Sequence, residues 1–70
     1  MDIETGAHKI IEIMGVSPTG FEDAIDQAVS KASESINGIT GVEVIRQAAE
    51  VRDGRVVAYR VTVKLSFVVN

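Results

Sequence analysis

The chain lacks several residue types whose presence would narrow its class. It contains no cysteine and no tryptophan, one histidine, and only three aromatic residues among 70. Disulfides are therefore excluded, and a single histidine without cysteine does not make a conventional structural zinc site. No apolar run approaches the roughly 20 residues of a membrane-spanning helix, and the acidic N-terminus does not resemble a signal peptide. We therefore expect a cytoplasmic protein without a membrane partner.

Charge and size narrow the class of partner. The net charge is −3 and the seven Lys and Arg residues are scattered, so no nucleic-acid surface is expected. With 46% hydrophobic and 24% charged residues and no linker or repeat, residues 1–70 are predicted to form one ordered domain. A core of this size rarely supplies more than a few kcal/mol, so a chain without disulfides or a zinc site is expected to gain stability by self-assembly.

Strict alternation in residues 56–69 predicts a long final strand. Fourteen extended residues span roughly 46 Å at about 3.3 Å each. A compact chain of this length has a radius of gyration of only about 11 Å, hence a diameter of about 30 Å. One face of the strand carries Val57, Tyr59, Val61, Val63, Leu65, Phe67 and Val69. Another copy of the chain must cover much of this face, which predicts a symmetric homo-oligomer.

A first strand and a helix precede this segment. β-Branched residues between His8 and Gly15 predict a strand. Ser17 followed by proline predicts an N-cap and first helical turn, and Thr19 with Glu22 offers a competing capping box. The helix start is therefore left open between these two positions.

The predicted helix carries its apolar residues at three- and four-residue spacing. They are Phe21, Ala24, Ile25, Ala28, Val29, Ala32 and Ile36. The small alanines allow a close approach to a sheet, and acidic residues in the first half complement the helix dipole. Asn37 with Gly38 is predicted to close the helix with a left-handed cap.

The remaining residues predict a hairpin. A second strand over 39–51 is joined to the long strand by a tight turn with Asp53 and Gly54 at its centre. The apolar parity of the second strand changes at Ile45, which predicts a β-bulge between Val44 and Arg46. The predicted fold is α+β, with order β-α-β-β and a three-stranded antiparallel sheet wrapped around one helix.

Segments 10–25, 42–44 and 59–67 resemble the dodecins, and together they extend over nearly the whole chain. The resemblance implies a strand-helix-strand-strand protomer that assembles as a hollow dodecamer. It also implies binding or storage of a small ligand, because many dodecins bind a flavin (FMN, FAD or riboflavin). In those members tryptophans stack on the flavin ring and a glutamine of the last strand hydrogen-bonds it.

The resemblance fails at the two positions that hold the flavin. The motif that usually reads Asp-Trp-Phe-Glu-Val is Thr-Gly-Val-Glu-Val here, so Gly41 stands for the tryptophan and Val42 for the next aromatic residue. Arg60 stands for the glutamine. Arg60 could stack on a ring or reach a phosphate, but an ion pair between subunits is the favoured interpretation. Flavin binding is therefore expected to be weak or absent.

The chain is more similar still to a tryptophan-less branch of the family, sometimes called calcium dodecin. It shares a Ser-Pro-Thr helix start and a Tyr-Arg pair in the last strand. This similarity implies calcium, and symmetry axes of an assembly could gather one carboxylate from each of several chains. The candidates are Glu12, Glu43 and Glu50, although a solvated or salt-bridged role is the favoured alternative for each.

No group of residues supports catalysis. His8 has no partner at the spacing of a catalytic triad, and Asp23 with Asp26 more simply favours the helix dipole than a metal. We therefore predict a binding protein rather than an enzyme. Three functions stay open: a flavin or small-ligand storage shell, a calcium-binding shell, and a structural assembly without a specific ligand.

Overall fold

Four elements make up the fold, in the predicted order β-α-β-β. The computed structural model describes residues 6–69, so the predicted domain 1–70 includes residues 1–5 and 70, which lie outside the described part. The sheet is antiparallel with strand order β1-β3-β2, so the last strand is the central one. The elements are β1 (Ala7–Ser17), α1 (Phe21–Ser33), β2 (Ile39–Arg52) and β3 (Arg55–Val69).

The centre of β3 forms the core because β1 and β2 flank it in the sheet and α1 packs over one of its faces. Val61, Val63 and Leu65 are fully buried, as the alternation predicted. β1 and β2 pair with β3 on either side, and the buried Ala24 and Ala28 of α1 pack on the same cluster. Small side chains at these two helix positions let α1 lie directly on the sheet.

Gly15 is the point of closest approach between sheet and helix. It is buried in β1, and a Cβ atom built on it would lie 1.9 Å from the carbonyl oxygen of Ala24 and 3.1 Å from the Cβ of Ala28. Any larger residue would push the helix backbone away from β1. This packing explains a glycine inside a strand that otherwise carries β-branched residues.

The helix begins later than predicted, because Ser17 belongs to β1. Ser17 pairs with Tyr59 of β3, and α1 starts at Phe21 with Gly20 as its N-cap and no side-chain cap. Both proposed caps, at Ser17 and at Thr19, are therefore wrong. The buried Ser17 hydroxyl instead accepts the backbone N–H of Thr19 at 3.0 Å and donates to Asp23 at 2.6 Å. It shapes the β1–α1 turn without being part of the helix.

The helix also ends earlier than predicted. Its last residue is Ser33, and the following turn is held by the N–H of Ile36, which donates to the carbonyl of Ala32 at 2.9 Å. Gly38 adopts the predicted left-handed conformation (φ 79°). It lies at the entry to β2 rather than at the helix end, because this extra turn intervenes.

The hairpin agrees with its prediction in turn and register. Asp53 and Gly54 both have positive φ (54° and 74°), as a two-residue type I′ turn requires. The predicted bulge between Val44 and Arg46 is present. Two further irregularities, at 39–41 and 50–51, were not predicted. Bulges bend a long hairpin, which lets it curl around α1.

One copy of the chain does not cover its own apolar surface. The molecule measures 51 × 22 × 18 Å with a radius of gyration of 14.4 Å, against about 11 Å for a compact chain of this length. The 13 residues of α1 extend only about 20 Å. Val69 at one end of β3 and Val42 on β2 therefore remain 51% and 46% exposed. On the apolar face of β3 itself, one protomer leaves the two ends exposed, at Val57 (37%) and Val69 (51%), so less of this face is uncovered than predicted.

Within residues 6–69, α1 is the sole helix, and it is neither long nor apolar enough to cross a membrane.

Candidate functional site

The predicted ligand residues lie mainly on the face of the sheet that is turned away from α1, here called the open face. Side chains alternate along β3, so the residues between the buried ones point to this face. Pairing extends the same parity to both neighbouring strands. Its members include His8, Ile10, Glu12, Met14 and Val16 of β1, Gly41, Glu43, Arg46, Ala48 and Glu50 of β2, and Ala58, Arg60, Thr62, Lys64, Ser66 and Val68 of β3.

Gly41 lies beside Ser66, whose hydroxyl occupies the space that a side chain at position 41 would need. Its partner in the sheet is Ser66 of β3, and a Cβ atom at position 41 would lie 2.6 Å from the Ser66 hydroxyl oxygen. A shallow cleft of about 270 Å³ surrounds the pair, with Ile10, Val42 and Lys64 in its lining. Val42 itself has the opposite parity and lies opposite Leu65. The Ser66 hydroxyl therefore fills the space in which a side chain at position 41 would begin.

Arg60 lies far from Gly41 within one chain. Arg60 faces Ala48, whereas Gly41 faces Ser66, six residues further along β3, which is about 20 Å. Tyr59, next to Arg60, points to the other face, where its ring packs edge-on against Phe21 with centroids 5.0 Å apart. The two family positions can belong to one ligand site only if different copies contribute them.

Arg60 forms an ion pair within the chain, and the predicted ion pair between subunits stays a prediction. Its guanidinium contacts one carboxylate oxygen of Glu50, and the guanidinium of Arg52 contacts the other at 2.7 Å. Both oxygens of Glu50 are therefore occupied by arginine. The salt-bridged alternative for Glu50 is confirmed, and a metal ion would have to displace a guanidinium to reach this carboxylate.

The other two predicted metal ligands are held apart by a lysine. Glu12 of β1 and Glu43 of β2 both lie opposite Lys64 in one row across the sheet. In residues 6–69 no group of three or more His, Cys, Asp or Glu side chains converges on a common point. One chain thus offers two separated carboxylates with a cation between them, and a denser site would need carboxylates from several copies.

The residues set aside for catalysis and helix-borne metal binding are not brought together, because His8 lies at one end of the open face and Asp23 and Asp26 lie on α1. His8 is exposed at the start of β1, opposite Val68. Asp23 accepts the hydroxyl hydrogen of Ser17, and Asp26 is exposed on α1. These positions give no support to a catalytic group.

A second cleft on the open face was not predicted. It has a volume of about 210 Å³ and is lined by Met14, Arg46, Ala48, Arg60 and Thr62. The alternation of β3 already indicated that Thr62, Lys64 and Ser66 share a face with Arg60. Arg46 could not be placed there from parity alone, because the bulge at Ile45 shifts the register of β2.

Comparisons with known proteins agree with this fold. The sequence model of the Dodecin family matches residues 7–70. The chain is 37% identical over 60 residues to the calcium dodecin of Mycobacterium tuberculosis, an alignment that includes 86% of this chain and 84% of that protein. The crystal structure of that calcium dodecin, described as calcium chelating with a novel calcium-binding site, has a TM-score of 0.80 at 35% identity and 93% coverage of both chains.

A second solved structure is more similar in backbone though less similar in sequence. The dodecin of Streptomyces coelicolor has a TM-score of 0.91 at 28% identity, with 97% of each chain covered. The long central strand, the single helix and the hairpin are thus common to these proteins. On the family match and the 37% identical relative, this chain belongs to the dodecin family.

Proposed function

We propose that this chain is the protomer of a hollow homododecamer that binds and stores a small ligand, and that it is a binding protein rather than an enzyme. The observation that carries the proposal is the uncovered apolar surface along β2, an edge strand of the sheet. In one copy, Val42, Val44 and Ile45 are 41–46% exposed on β2. Such a contiguous apolar surface marks an interaction site, and further copies of the chain are its natural cover.

Native mass spectrometry tests the assembly and any retained ligand together. Twelve copies of 7.5 kDa should give a particle of about 90 kDa. A monomer or dimer at micromolar concentration would overturn the proposed shell. The cytoplasmic location and the lack of nucleic-acid and membrane partners, predicted from the sequence, stay predictions.

The ligand of the unmodified chain is not expected to be a tightly stacked flavin. Gly41 provides no ring, and Ser66 fills part of the space. Base stacking on an aromatic side chain contributes about 1–3 kcal/mol per ring. By analogy, a site that lacks both tryptophans of a two-fold contact loses about two to four orders of magnitude in affinity.

Restoring the ring should therefore restore flavin binding. We expect Gly41→Trp combined with Ser66→Ala to tighten riboflavin binding by about two orders of magnitude or more. Ser66→Ala is included because it removes the oxygen 2.6 Å from the new Cβ, while the Ser66 Cβ at 4.0 Å can stay. Adding Arg60→Gln tests the glutamine position in the same background. Quenching of riboflavin fluorescence measures each affinity.

The matched control for this experiment is Gly41→Leu with Ser66→Ala, which adds apolar volume without an aromatic ring. It should bind riboflavin as weakly as the native chain. If the tryptophan variant assembles to full mass and still does not quench riboflavin, Gly41 is not at a stacking position.

Calcium binding is the second candidate function. Two observations favour it: the similarity to a calcium dodecin, and the two carboxylates of Glu12 and Glu43 that remain without an arginine partner in the described part of the chain. Symmetry-related copies would have to complete the coordination. Calcium bound to the native assembly must raise its melting temperature. An unchanged melting temperature in excess calcium, with no calcium increments in the native mass spectrum, would show that the assembly does not bind calcium.

A further inference from the structure

We propose that Arg46 and Arg60 on the open face bind a phosphate group of a small ligand, in the 210 Å³ cleft that they form with Met14, Ala48 and Thr62. The inference rests on the proposed ligand-binding function and names the chemical class of the ligand. The cleft lies within one chain, so it can be tested independently of assembly.

Sheet register places the two arginines on neighbouring strands, and both line the cleft. Arg46 of β2 faces Thr62 of β3, and Ala48 of β2 faces Arg60 of β3, in adjacent rows. The arginines are therefore diagonal neighbours on the same face, about 7–8 Å apart at the backbone. The small side chain of Ala48 leaves the space between them open. A phosphate in this space can accept hydrogen bonds from two guanidinium groups and from the Thr62 hydroxyl.

Donors remain available on both arginines. Arg60 uses one terminal nitrogen for Glu50, which leaves its other N–H groups free for a second acceptor because a guanidinium has five. Arg46 takes part in none of the ion pairs formed within residues 6–69. Glu50, held by Arg52 on its other oxygen, orients Arg60 and acts as a positioning residue.

The positive charge of the chain is concentrated in the part of the sequence that forms this cleft. Residues 45–60 contain four arginines and two acidic residues, a net charge of +2. Because the whole chain has a net charge of −3, the remaining residues together have a net charge of −5. A local positive potential on an otherwise acidic protein directs an anion to the hairpin and away from the rest of the surface.

The neighbouring surface suits the apolar part of such a ligand. Met14 in the cleft wall is 56% exposed, and Val16 beside it in β1 is 51% exposed. Both lie on the open face next to the arginines. A molecule that combines a phosphate with an apolar or planar body would place the phosphate between the arginines and its body on this edge.

Titration with inorganic phosphate, followed by ³¹P NMR at fixed pH and low ionic strength, tests the cleft with a defined probe. We expect saturable binding that weakens at least about tenfold in Arg46→Ala and in Arg60→Ala, because each loses charge-assisted hydrogen bonds. Ala48→Leu keeps every charge but fills the cleft, so it should also abolish saturation. Arg55→Ala is the matched control, because it removes the same charge outside the cleft and should change the affinity by no more than about twofold.

The outcomes separate this inference from the proposed function. Absence of saturable binding in the native protein, or equal weakening in Arg55→Ala, overturns the phosphate site. Equal competition by acetate assigns the cleft to carboxylates and overturns the phosphate assignment. Phosphate binding by a protein that does not form a 90 kDa particle would uphold the cleft and overturn the shell; the mass is that of twelve 7.5 kDa chains. If Ala48→Leu does not fold, the exposed Arg46→Ala variant still decides the result.

Discussion

Val63→Asp is expected to abolish the folded assembly. Val63 is fully buried at the centre of β3, with Ile13 of β1 on one side and Val44 of β2 on the other. An unpaired carboxylate at this position costs several kcal/mol. That is comparable to the entire stability that a core of this size supplies. Circular dichroism and size-exclusion chromatography should show an unfolded monomer or an aggregate.

The control is the same substitution at an exposed valine. Val51 lies on β2 near the turn and is 63% exposed, so Val51→Asp should keep the native circular dichroism spectrum. A soluble Val63→Asp variant that forms particles of native mass would mean that the face of β3 opposite to the one described here is buried.

Gly15→Ala is expected to have the second largest effect, although it adds a single methyl group. That methyl carbon would lie 1.9 Å from the carbonyl oxygen and 2.8 Å from the carbonyl carbon of Ala24. Backbone atoms cannot rotate away as a side chain can, so α1 must move off the sheet. We expect a loss of about 2–4 kcal/mol in the free energy of unfolding. Urea unfolding at a fixed protein concentration measures it, since assembly couples stability to concentration.

Gly20→Ala separates steric overlap from a general effect of adding a methyl group. Gly20 lies between β1 and α1, and a Cβ atom built on it has no atom within 4 Å. Its φ of 171° is ordinary extended backbone that alanine adopts. Its loss at the N-cap should be under about 1 kcal/mol. Equal destabilisation by the two substitutions would argue against the close approach of Gly15 to α1.

The parts of the fold that depend on local repetition were predictable. Alternation with a period of two identified β3 and its buried residues Val61, Val63 and Leu65, and the apolar spacing identified α1. Asp53 with Gly54 predicted the turn because its positive φ angles require such residues. The change of parity at Ile45 predicted the bulge. In each case the signal lies within a few neighbouring residues and follows from backbone geometry.

Errors occurred where two local interactions compete. Ser17 has the chemistry of an N-cap and also the position of a strand residue. Pairing with Tyr59 places it in β1, so its hydroxyl serves the turn and the helix starts at Phe21. Arg60 forms an ion pair within the chain that no local pattern predicted, while its predicted ion pair with a neighbouring subunit stays a prediction. Its partner Glu50 lies ten residues away along the chain and becomes a neighbour only through the hairpin.

The sequence by itself determined the element types, the hairpin turn and the buried face of β3, because these follow from periodicity and turn chemistry. Only the tertiary structure decided that β3 is the central strand, that Gly15 lets the helix touch β1, that Ser66 fills the space beside Gly41, and that Arg46 joins Arg60 at one cleft. Those features depend on register and on contacts between residues distant in the chain, which no local pattern encodes.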